Sequence, residues 1–272
     1  MPELPEVETT KRGISPFVLG QKIEKVIIRN PKLRYLIDVD FAAFCQEKEI
    51  KSIERRSKYL LFNLDPGYLI NHLGMSGHLR VIPATSPANK HDHLDLILSN
   101  DFCLRYHDPR RFGLWLHHQG PLDAHPLLKH LGVEPLTDEF NASYLQARAK
   151  GKQQNVKSFI MNNEIVVGVG NIYASESLFL AGLHPEMKAG KLSPQQAEKL
   201  VMAIKFILEK AIEAGGTTLK DFYKIDGNPG YFSHDLKVYG RKDLTCFDCQ
   251  NPIQSKIIAG RNSYFCNHCQ SG

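Results

Sequence analysis

The stretches Cys246-Phe247-Asp248-Cys249 and Cys266-Asn267-His268-Cys269 decide how the C-terminal part of this 272-residue chain folds. Sixteen residues separate the two pairs, which is the spacing of a four-cysteine zinc ribbon. The apolar residues between the pairs can form the hairpin that joins them. His268 is a competing ligand, but two matching pairs favour four sulfurs. Because four thiolates fill every position around the ion, the predicted zinc is structural and not catalytic.

Two glycine-containing segments offer groups that could hold a phosphate. Gly260-Arg261-Asn262-Ser263 is predicted at the tip of the hairpin, where an arginine can make two parallel hydrogen bonds to a phosphate. The segment 168–174, GVGNIYA, follows an apolar run and can turn its backbone N–H groups toward an anion before the next helix. A solvated turn is the alternative for Arg261. The glycine spacing differs from the dinucleotide fingerprint, so no nucleotide cofactor is expected.

Before the cysteine pairs, the apolar residues first recur at every second position, as in strands, and later recur at helical spacing. Residues 22–116 are predicted to be mainly short antiparallel β-strands, with turns at 65–67 and 99–101, which suggests a sandwich or barrel. Within them, the alternation of Leu94, Leu96 and Leu98 predicts a half-buried strand. Ser193, Pro194 and Gln196 predict a capped helix start, and an apolar stripe continues to Ala214 before two glycines. The fold class expected is α+β, with a β-rich N-terminal half and a helical C-terminal half.

The N-terminus, Met1-Pro2-Glu3-Leu4-Pro5-Glu6, contains a candidate nucleophile. Removal of Met1 would expose the secondary amine of Pro2, and an α-amino group titrates near pH ~8, well below the ~10.4 of lysine. Such an amine is partly unprotonated at neutral pH and can attack carbon. Glu3 and Glu6 stand beside it. The alternative is an ordinary helix start, because proline and acidic residues both suit a first helical turn.

Two further turns combine apolar or aromatic side chains with cations. Gly74-Met75-Ser76-Gly77 contains a methionine, and the segment 108–113, DPRRFG, sets Arg110 beside Phe112. Proteins that unstack DNA insert such side chains into the duplex while an arginine fills the vacated hydrogen bonds. Packing in the core is the alternative for Met75 and Phe112.

Composition limits the function classes without choosing among them. The chain has 34 basic and 29 acidic side chains, a net charge of +5, so a nucleic-acid partner is permitted but not required. It contains no apolar run long enough to cross a bilayer and no secretory signal, so an intracellular protein without membrane contact is expected. Cys45 and Cys103 lie in apolar surroundings and are expected to be buried hydrophobic residues.

Taken in order, these segments resemble the formamidopyrimidine-DNA glycosylase family of bacterial base-excision repair enzymes over essentially the whole chain. The resemblance rests on six signatures: PELPEVE at 2–8, RRSKYLLF around Lys58, HLGMSG at 72–77, DPRRFG at 108–113, GVGNIYASE at 168–176, and the cysteine pairs. One departure is Gln250, where the family usually has glycine, which puts the local turn in doubt. Ser57 is a milder variation.

The resemblance implies four structural regions with stated boundaries. An N-terminal antiparallel β-sandwich with a flanking helix would span 1–133, and a linker would span 134–152. A helix-two-turns-helix DNA-binding domain would follow at 153–236, and the four-cysteine zinc finger at 237–272. The segment Thr217–Tyr239 resembles the loop that closes over a damaged base. One structural zinc ion and damaged double-stranded DNA would be the ligands, and the protein would act as a cytoplasmic monomer.

The resemblance also implies residue roles. Pro2 would be the Schiff-base nucleophile, Glu3 the general acid and Glu6 a supporting acid. The remaining matched residues are the phosphate-contacting Lys58, His72, Asn171 and Arg261, the gap-filling Met75, Arg110 and Phe112, and Lys157 near the base pocket.

The implied activity is excision of oxidised purines such as 8-oxoguanine, followed by β,δ-elimination at the abasic site. Two alternatives remain at this point. One is an endonuclease VIII-like glycosylase for oxidised pyrimidines, and the other is a non-catalytic zinc-ribbon protein that only binds DNA.

Overall fold

The computed structural model of the chain describes residues 2–216 and 235–271. It divides into two compact units, the first built mainly on residues up to Lys129 and the second on His130–Glu213 with the described C-terminal residues. The four regional boundaries expected from the sequence remain predictions. The predicted base-covering loop lies outside the described residues as far as 234.

The first unit contains an antiparallel β-sandwich of two four-stranded sheets. Its strands are β1 (Ile23–Ile28), β2 (Ser52–Arg56), β3 (Tyr59–Asn63), β4 (Tyr68–His72), β5 (His78–Pro83), β6 (Asp92–Leu98), β7 (Phe102–His107) and β8 (Leu114–His118). The sheet orders are β1-β6-β7-β5 and β2-β3-β4-β8. The predicted turns at 65–67 and 99–101 join β3 to β4 and β6 to β7, and the sandwich is confirmed.

The core of the sandwich follows from alternation along the strands, but β6 departs from the expected half-buried strand. Leu94 and Leu96 enter the apolar core, while Asp95 on the opposite face is also fully buried. Arg105 from β7 covers it, donating to both carboxylate oxygens at 2.9 and 2.8 Å, and Arg29 adds a third bond. An ion-pair layer therefore buries the second face. Burial raises and these hydrogen bonds lower the pKa of Asp95, which is lowered overall.

Two helices accompany the sandwich. Helix α1 (Leu4–Val18) begins with a capping box between Glu3 and Glu6 and packs its apolar face on the sheets. Glu8, which is nearly buried, accepts a hydrogen bond from Arg55 of β2 at 3.0 Å, which fixes α1 to the sandwich. Helix α2 (Phe41–Cys45) is short, and the β pattern of its surroundings concealed it. Cys45 and Cys103 are fully buried, as predicted.

The second unit is helical and ends in a hairpin. Its helices are α3 (Ala142–Ala149), α4 (Val156–Ile160), α5 (Asn171–Leu180) and α6 (Pro194–Glu213), and its strands are β9 (Gln254–Ile258) and β10 (Arg261–Phe265). The predicted α6 is confirmed, including its capping box, in which Ser193 and Gln196 exchange bonds of 2.9 and 3.2 Å. Among the helices the structure describes, none combines the length and the apolar character that a membrane crossing needs.

Candidate functional site

The start of α1 brings Pro2 together with two buried carboxylates. Pro2 is buried immediately before the helix, and Glu3 and Glu6 are 2% and 3% exposed. The backbone N–H of Glu3 donates to Oε2 of Glu6 at 2.8 Å, so the capping box orients the Glu6 carboxylate toward the N-terminus. The arrangement places two carboxylates, each a potential proton donor or acceptor, next to Pro2.

Lys58 and His72 lie on the sheet that contains β2, β3 and β4. Lys58 occupies the β2–β3 turn, where Ser57 adopts a left-handed φ of 58°, and its side chain is largely buried. His72 ends β4, and its Nδ1 accepts the N–H of Gly74 at 2.9 Å. Burial, with added repulsion from Lys58 and Arg34, lowers the pKa of His72 to about 4. His72 is therefore neutral at pH 7 and carries its proton on Nε2.

The two turns at 74–77 and 108–113 contact each other, and we call them the paired loops. A Cβ added to Gly74 would lie 2.4 Å from the backbone nitrogen of Gly113, so only glycine permits this approach. Met75 and Phe112 remain 37% and 47% exposed, and the guanidinium of Arg110 lies 4.9 Å from the centre of the Phe112 ring. Met75 and Phe112 are therefore not core residues.

Asp108 is the first residue of the second paired loop, and the sequence pattern assigned it no role beyond membership of a motif. It is fully buried. Its Oδ1 accepts from the hydroxyl of Ser76 at 2.6 Å and the N–H of Arg110 at 3.2 Å. Its Oδ2 accepts from the hydroxyl of Tyr106 at 2.9 Å and the N–H of Gly113 at 3.0 Å. One carboxylate thus binds both loops.

In the second unit, Lys157, Asn171 and β10 form a polar cluster, which we define as Lys157, Asn171, Asn262 and Ser263. Lys157 is 1% exposed, and its Nζ donates to Oδ1 of Asn171 and to the Ser263 hydroxyl, both at 2.5 Å. Nδ2 of Asn171 donates to the carbonyl of Asn262 at 2.9 Å. The structure therefore joins two predicted site residues, Lys157 and Asn171, to the distant segment that contains Asn262 and Ser263.

Arg261 lies beside this cluster but not at the expected hairpin tip. The turn is formed by Ala259 and Gly260, which both have positive φ, and Arg261 is the first residue of β10. The tip is shorter than predicted because two residues with left-handed backbone suffice to reverse the chain. Arg261 is exposed.

Glu176 at the end of the GVGNIYASE motif has a role that the sequence did not reveal. Its buried carboxylate accepts three backbone N–H bonds of 2.8 to 3.0 Å from Lys237, Val238 and Tyr239. Burial raises and these bonds lower the pKa of Glu176, which is raised overall. These bonds fix the chain just before the cysteine pairs. They join residues at least 61 positions apart, so no local sequence pattern could have predicted them.

The four cysteines of the C-terminal pairs form one cluster. Their Sγ atoms all lie within 4.8 Å of one another, with 3.9 Å between Cys246 and Cys269 and 3.4 Å between Cys249 and Cys266. Tetrahedral binding with metal–sulfur bonds of about 2.3 Å requires sulfur separations of roughly 3.8 Å. The sulfurs therefore fit a metal ion, and His268 is not part of the cluster.

Gln250 adopts the backbone that explains the glycine usual in the family. Its φ is 63°, a left-handed conformation that glycine adopts more readily. Its N–H still donates to the carbonyl of Cys246 at 3.1 Å, so the turn between the first cysteine pair and β9 is kept.

Comparisons with known proteins agree with this geometry. Residues 1–115 match the formamidopyrimidine-DNA glycosylase N-terminal domain, and residues 131–223 match the formamidopyrimidine-DNA glycosylase H2TH domain. The formamidopyrimidine-DNA glycosylase of Hydrogenovibrio crunogenus is 57% identical over 270 residues, covering 99% of this chain and 96% of that protein.

Solved structures of Lactococcus lactis Fpg also resemble the chain. One is a complex with DNA containing an abasic site, with 35% identity, a TM-score of 0.91 and coverage of 99% of this chain and 100% of that one. Another, with DNA containing N7-benzyl-Fapy-dG, has 34% identity, a TM-score of 0.92 and full coverage of both chains. The chain therefore belongs to the formamidopyrimidine-DNA glycosylase family.

Proposed function

We propose that this protein is a bifunctional DNA glycosylase and abasic-site lyase that removes oxidised purines from damaged duplex DNA. The observation that carries the proposal is the start of α1, where Pro2 precedes two buried carboxylates, Glu3 and Glu6. A capping box alone could be formed by solvent-exposed carboxylates, so the burial of both beside Pro2 supports a catalytic role. The complexes of the Lactococcus lactis relatives with lesion-containing DNA support the substrate class.

The chemistry starts at the amine of Pro2 after Met1 has been removed. Its nitrogen bonds to C1′ of the damaged nucleotide while the bond from C1′ to the base breaks, and the base leaves with that electron pair. The nitrogen loses the proton it carries, which the departing base takes up. Its lone pair then forms the C1′=N bond of an iminium while the bond from C1′ to the ring oxygen breaks, and Glu3 gives a proton to that oxygen. Because the nitrogen is a secondary amine, the iminium is permanently cationic and withdraws electrons strongly.

The iminium makes strand cleavage possible. It acidifies the protons on C2′, and loss of one of them expels the 3′ phosphate by β-elimination. A second elimination expels the 5′ phosphate, which leaves a gap of one nucleotide. Glu6, which contacts the Glu3 backbone at 2.8 Å, supports these proton transfers by holding the helix start and its carboxylates in place.

The nucleotide must leave the base stack before Pro2 can reach it, and this costs a few kcal/mol. Met75, Arg110 and Phe112 would fill the gap, since the paired loops expose all three. Lys58, Asn171 and Arg261 would hold phosphates around the extruded nucleotide, with Lys157 beside Asn171. The neutral His72 would contribute an Nε2–H donor to a phosphate, not a positive charge.

The metal held by the four cysteines is proposed to be zinc. Tetrahedral sulfur coordination is typical of structural zinc, and four protein ligands leave no position for an activated water. The ion would fix the hairpin that carries Arg261 and Ser263.

Borohydride trapping tests the catalytic proposal. Borohydride reduces the iminium and links the protein permanently to DNA, so wild-type protein lacking Met1 should give an adduct with duplex DNA containing 8-oxoguanine. Pro2→Gly should greatly reduce the yield, whereas Pro5→Ala, which alters the same helix start, should retain it. Gel shift and intact mass report the adduct and the loss of Met1 together.

Absence of the adduct from Met1-processed wild-type protein would refute the lyase mechanism. Excision rates on 8-oxoguanine opposite cytosine and on thymine glycol test the lesion class separately. Faster removal of thymine glycol would contradict the preference for purines while leaving the mechanism intact.

A further inference from the structure

We infer that Asp108 is a positioning residue that couples the paired loops, so that Met75, Arg110 and Phe112 enter the duplex as one preformed body. The inference rests on the proposed function, because it concerns how the gap left by the extruded nucleotide is filled. Asp108 itself is fully buried and would not touch DNA.

Both carboxylate oxygens of Asp108 accept hydrogen bonds that couple the loops. Oδ1 joins the loops directly, since it accepts from Ser76 in the first loop and from the backbone of Arg110 in the second. Oδ2 joins the far end of the second loop, Gly113, to Tyr106 of the sheet. The ionised form suits four donors because a carboxylate only accepts.

The backbones of the loops leave little freedom once these bonds are made. A Cβ on Gly77 would lie 2.1 Å from the carbonyl of Leu73, and one on Gly113 would lie 2.6 Å from the carbonyl of His72. Close backbone contact and a shared carboxylate therefore fix the loops at both ends. The three exposed side chains start from a rigid base, which reduces the entropy lost when they enter DNA.

The variant Asp108→Asn breaks this arrangement with almost no change in size. An amide has one acceptor oxygen and a donor NH₂ group, so whichever way it turns, one backbone N–H, that of Arg110 or that of Gly113, faces the NH₂ group. The hydroxyl beside it, of Ser76 or Tyr106, must reverse its bond and accept. The loops should then lose their common position while the start of α1, with Pro2, is untouched. Ser76→Ala removes the bond from the first loop to Asp108 and the 3.2 Å bond that the Arg110 N–H donates to the Ser76 hydroxyl. It leaves the other three bonds of the carboxylate in place and should give a smaller effect.

Asp95→Asn is the matched control. Asp95 is a fully buried carboxylate of the same sheet, but its bonds run to Arg29 and Arg105 and not to the paired loops. Both variants lose charge-assisted bonds, so both should lower the melting temperature. Only Asp108→Asn should affect the filling of the gap.

The deciding measurement is the ratio of two activities, excision of 8-oxoguanine from a duplex and cleavage at an abasic site in a single strand. Only the duplex has an opposite strand and a gap to fill. For D108N, duplex excision should fall about 10- to 100-fold, as expected when a remote change misplaces reacting groups, while single-strand cleavage stays within about twofold. For D95N the ratio should equal that of the wild type.

Amide hydrogen exchange provides a readout that does not depend on chemistry. In D108N the amides of both 74–77 and 110–113 should exchange faster, and in D95N they should not. An unchanged activity ratio in D108N, or faster exchange in only one loop, would overturn the coupling. Wild-type protein that fails the trapping assay would instead refute the proposed function, and the exchange data would still decide whether Asp108 joins the loops.

Discussion

The paired loops and the polar cluster organise their exposed residues in opposite ways. In the paired loops, a buried polar network holds apolar and aromatic side chains out in solvent. In the polar cluster, the groups proposed to contact DNA already bond to one another, since Lys157 and Asn171 share a hydrogen bond. Under the proposed function, the first region would act without rearrangement. The second would exchange internal hydrogen bonds for bonds to phosphate.

The two regions also depend on different supports. The paired loops are held by the β-sandwich, through Asp108, Tyr106 and close glycine contacts. The polar cluster depends on β10, and β10 leads directly into Cys266. Metal removal, a change of pH and a change of salt concentration should therefore affect the two regions differently.

Metal removal should have the largest effect and should act on the polar cluster. Binding of structural zinc contributes on the order of 10 kcal/mol to the folding of comparable fingers. After chelation, amides of β9 and β10 should lose protection from hydrogen exchange, and affinity for duplex DNA should fall by at least about tenfold as Arg261 and Ser263 lose their positions. Amides of β6 and β7 should stay protected.

Cys249→Ala should reproduce the effect of chelation, and Cys45→Ala is its control. Cys45 is also a buried cysteine, but it lies in the sandwich core. If the hairpin kept its protection after the metal was removed, the ion would not be what supports the polar cluster.

Low pH should act on the paired loops, through His72 and His78, which flank residues 74–77. Burial, with repulsion from nearby cations, lowers the pKa of each from 6.5 to about 4. As pH falls below 6.5, the unfolded chain binds protons that the folded chain does not, so stability is lost between about pH 6.5 and 4. The loss should amount to roughly 2 to 3 kcal/mol for each histidine.

The charged neighbours of the two histidines explain why the pKa of each is lowered and not raised. Lys58 and Arg34 oppose protonation of His72, and Asp108 favours it. Around His78, His107 and Arg80 oppose protonation, while Asp92 and a backbone bond favour it.

Urea unfolding between pH 7.5 and 4.5 measures the effect. The variants H72Q and H78Q should each flatten the loss of stability, and substitution of the exposed His130 should not. Equal slopes in all four proteins would contradict the assignment. Protonation of His72 would also remove the acceptor for the Gly74 N–H, so hydrogen exchange in 74–77 should increase in acid.

Local sequence patterns predicted the cysteine cluster and helix α6 better than they predicted hydrogen bonds between distant segments. The cysteine spacing and the period of α6 lie within single segments, and both were confirmed. The bond from Ser76 to Asp108 spans 32 positions and that from Lys157 to Ser263 spans 106. Neither periodicity nor spacing contains such information.

The same limit explains the errors. Strand β6 was expected to expose one face, because its own sequence does not reveal that Arg105 covers Asp95. Helix α2 has only five residues, too few to establish a helical period among strands. The chemistry of Pro2 depended on the family resemblance, since an ordinary helix start has the same local sequence.

Salt dependence should separate the two regions most directly, although the change in affinity is the smallest. Arg261→Ala removes a proposed phosphate contact, so the slope of log affinity against log salt should become shallower by about 0.9. Phe112→Ala removes an uncharged ring and should leave the slope unchanged. Each should weaken binding by roughly 3- to 10-fold at moderate salt, which is about 1 kcal/mol.

A duplex with a stable analogue of the abasic site allows these affinities to be measured without turnover, by fluorescence anisotropy at several salt concentrations. Lys210→Ala is a control for net charge, since Lys210 is exposed and pairs with Glu213 on α6. If Phe112→Ala changed the slope as much as Arg261→Ala, the paired loops would be acting through the charge of Arg110, which lies against that ring. If neither changed it, Arg261 would be a solvated residue of β10. A change for Arg261 alone would show that one region binds by charge and the other by shape.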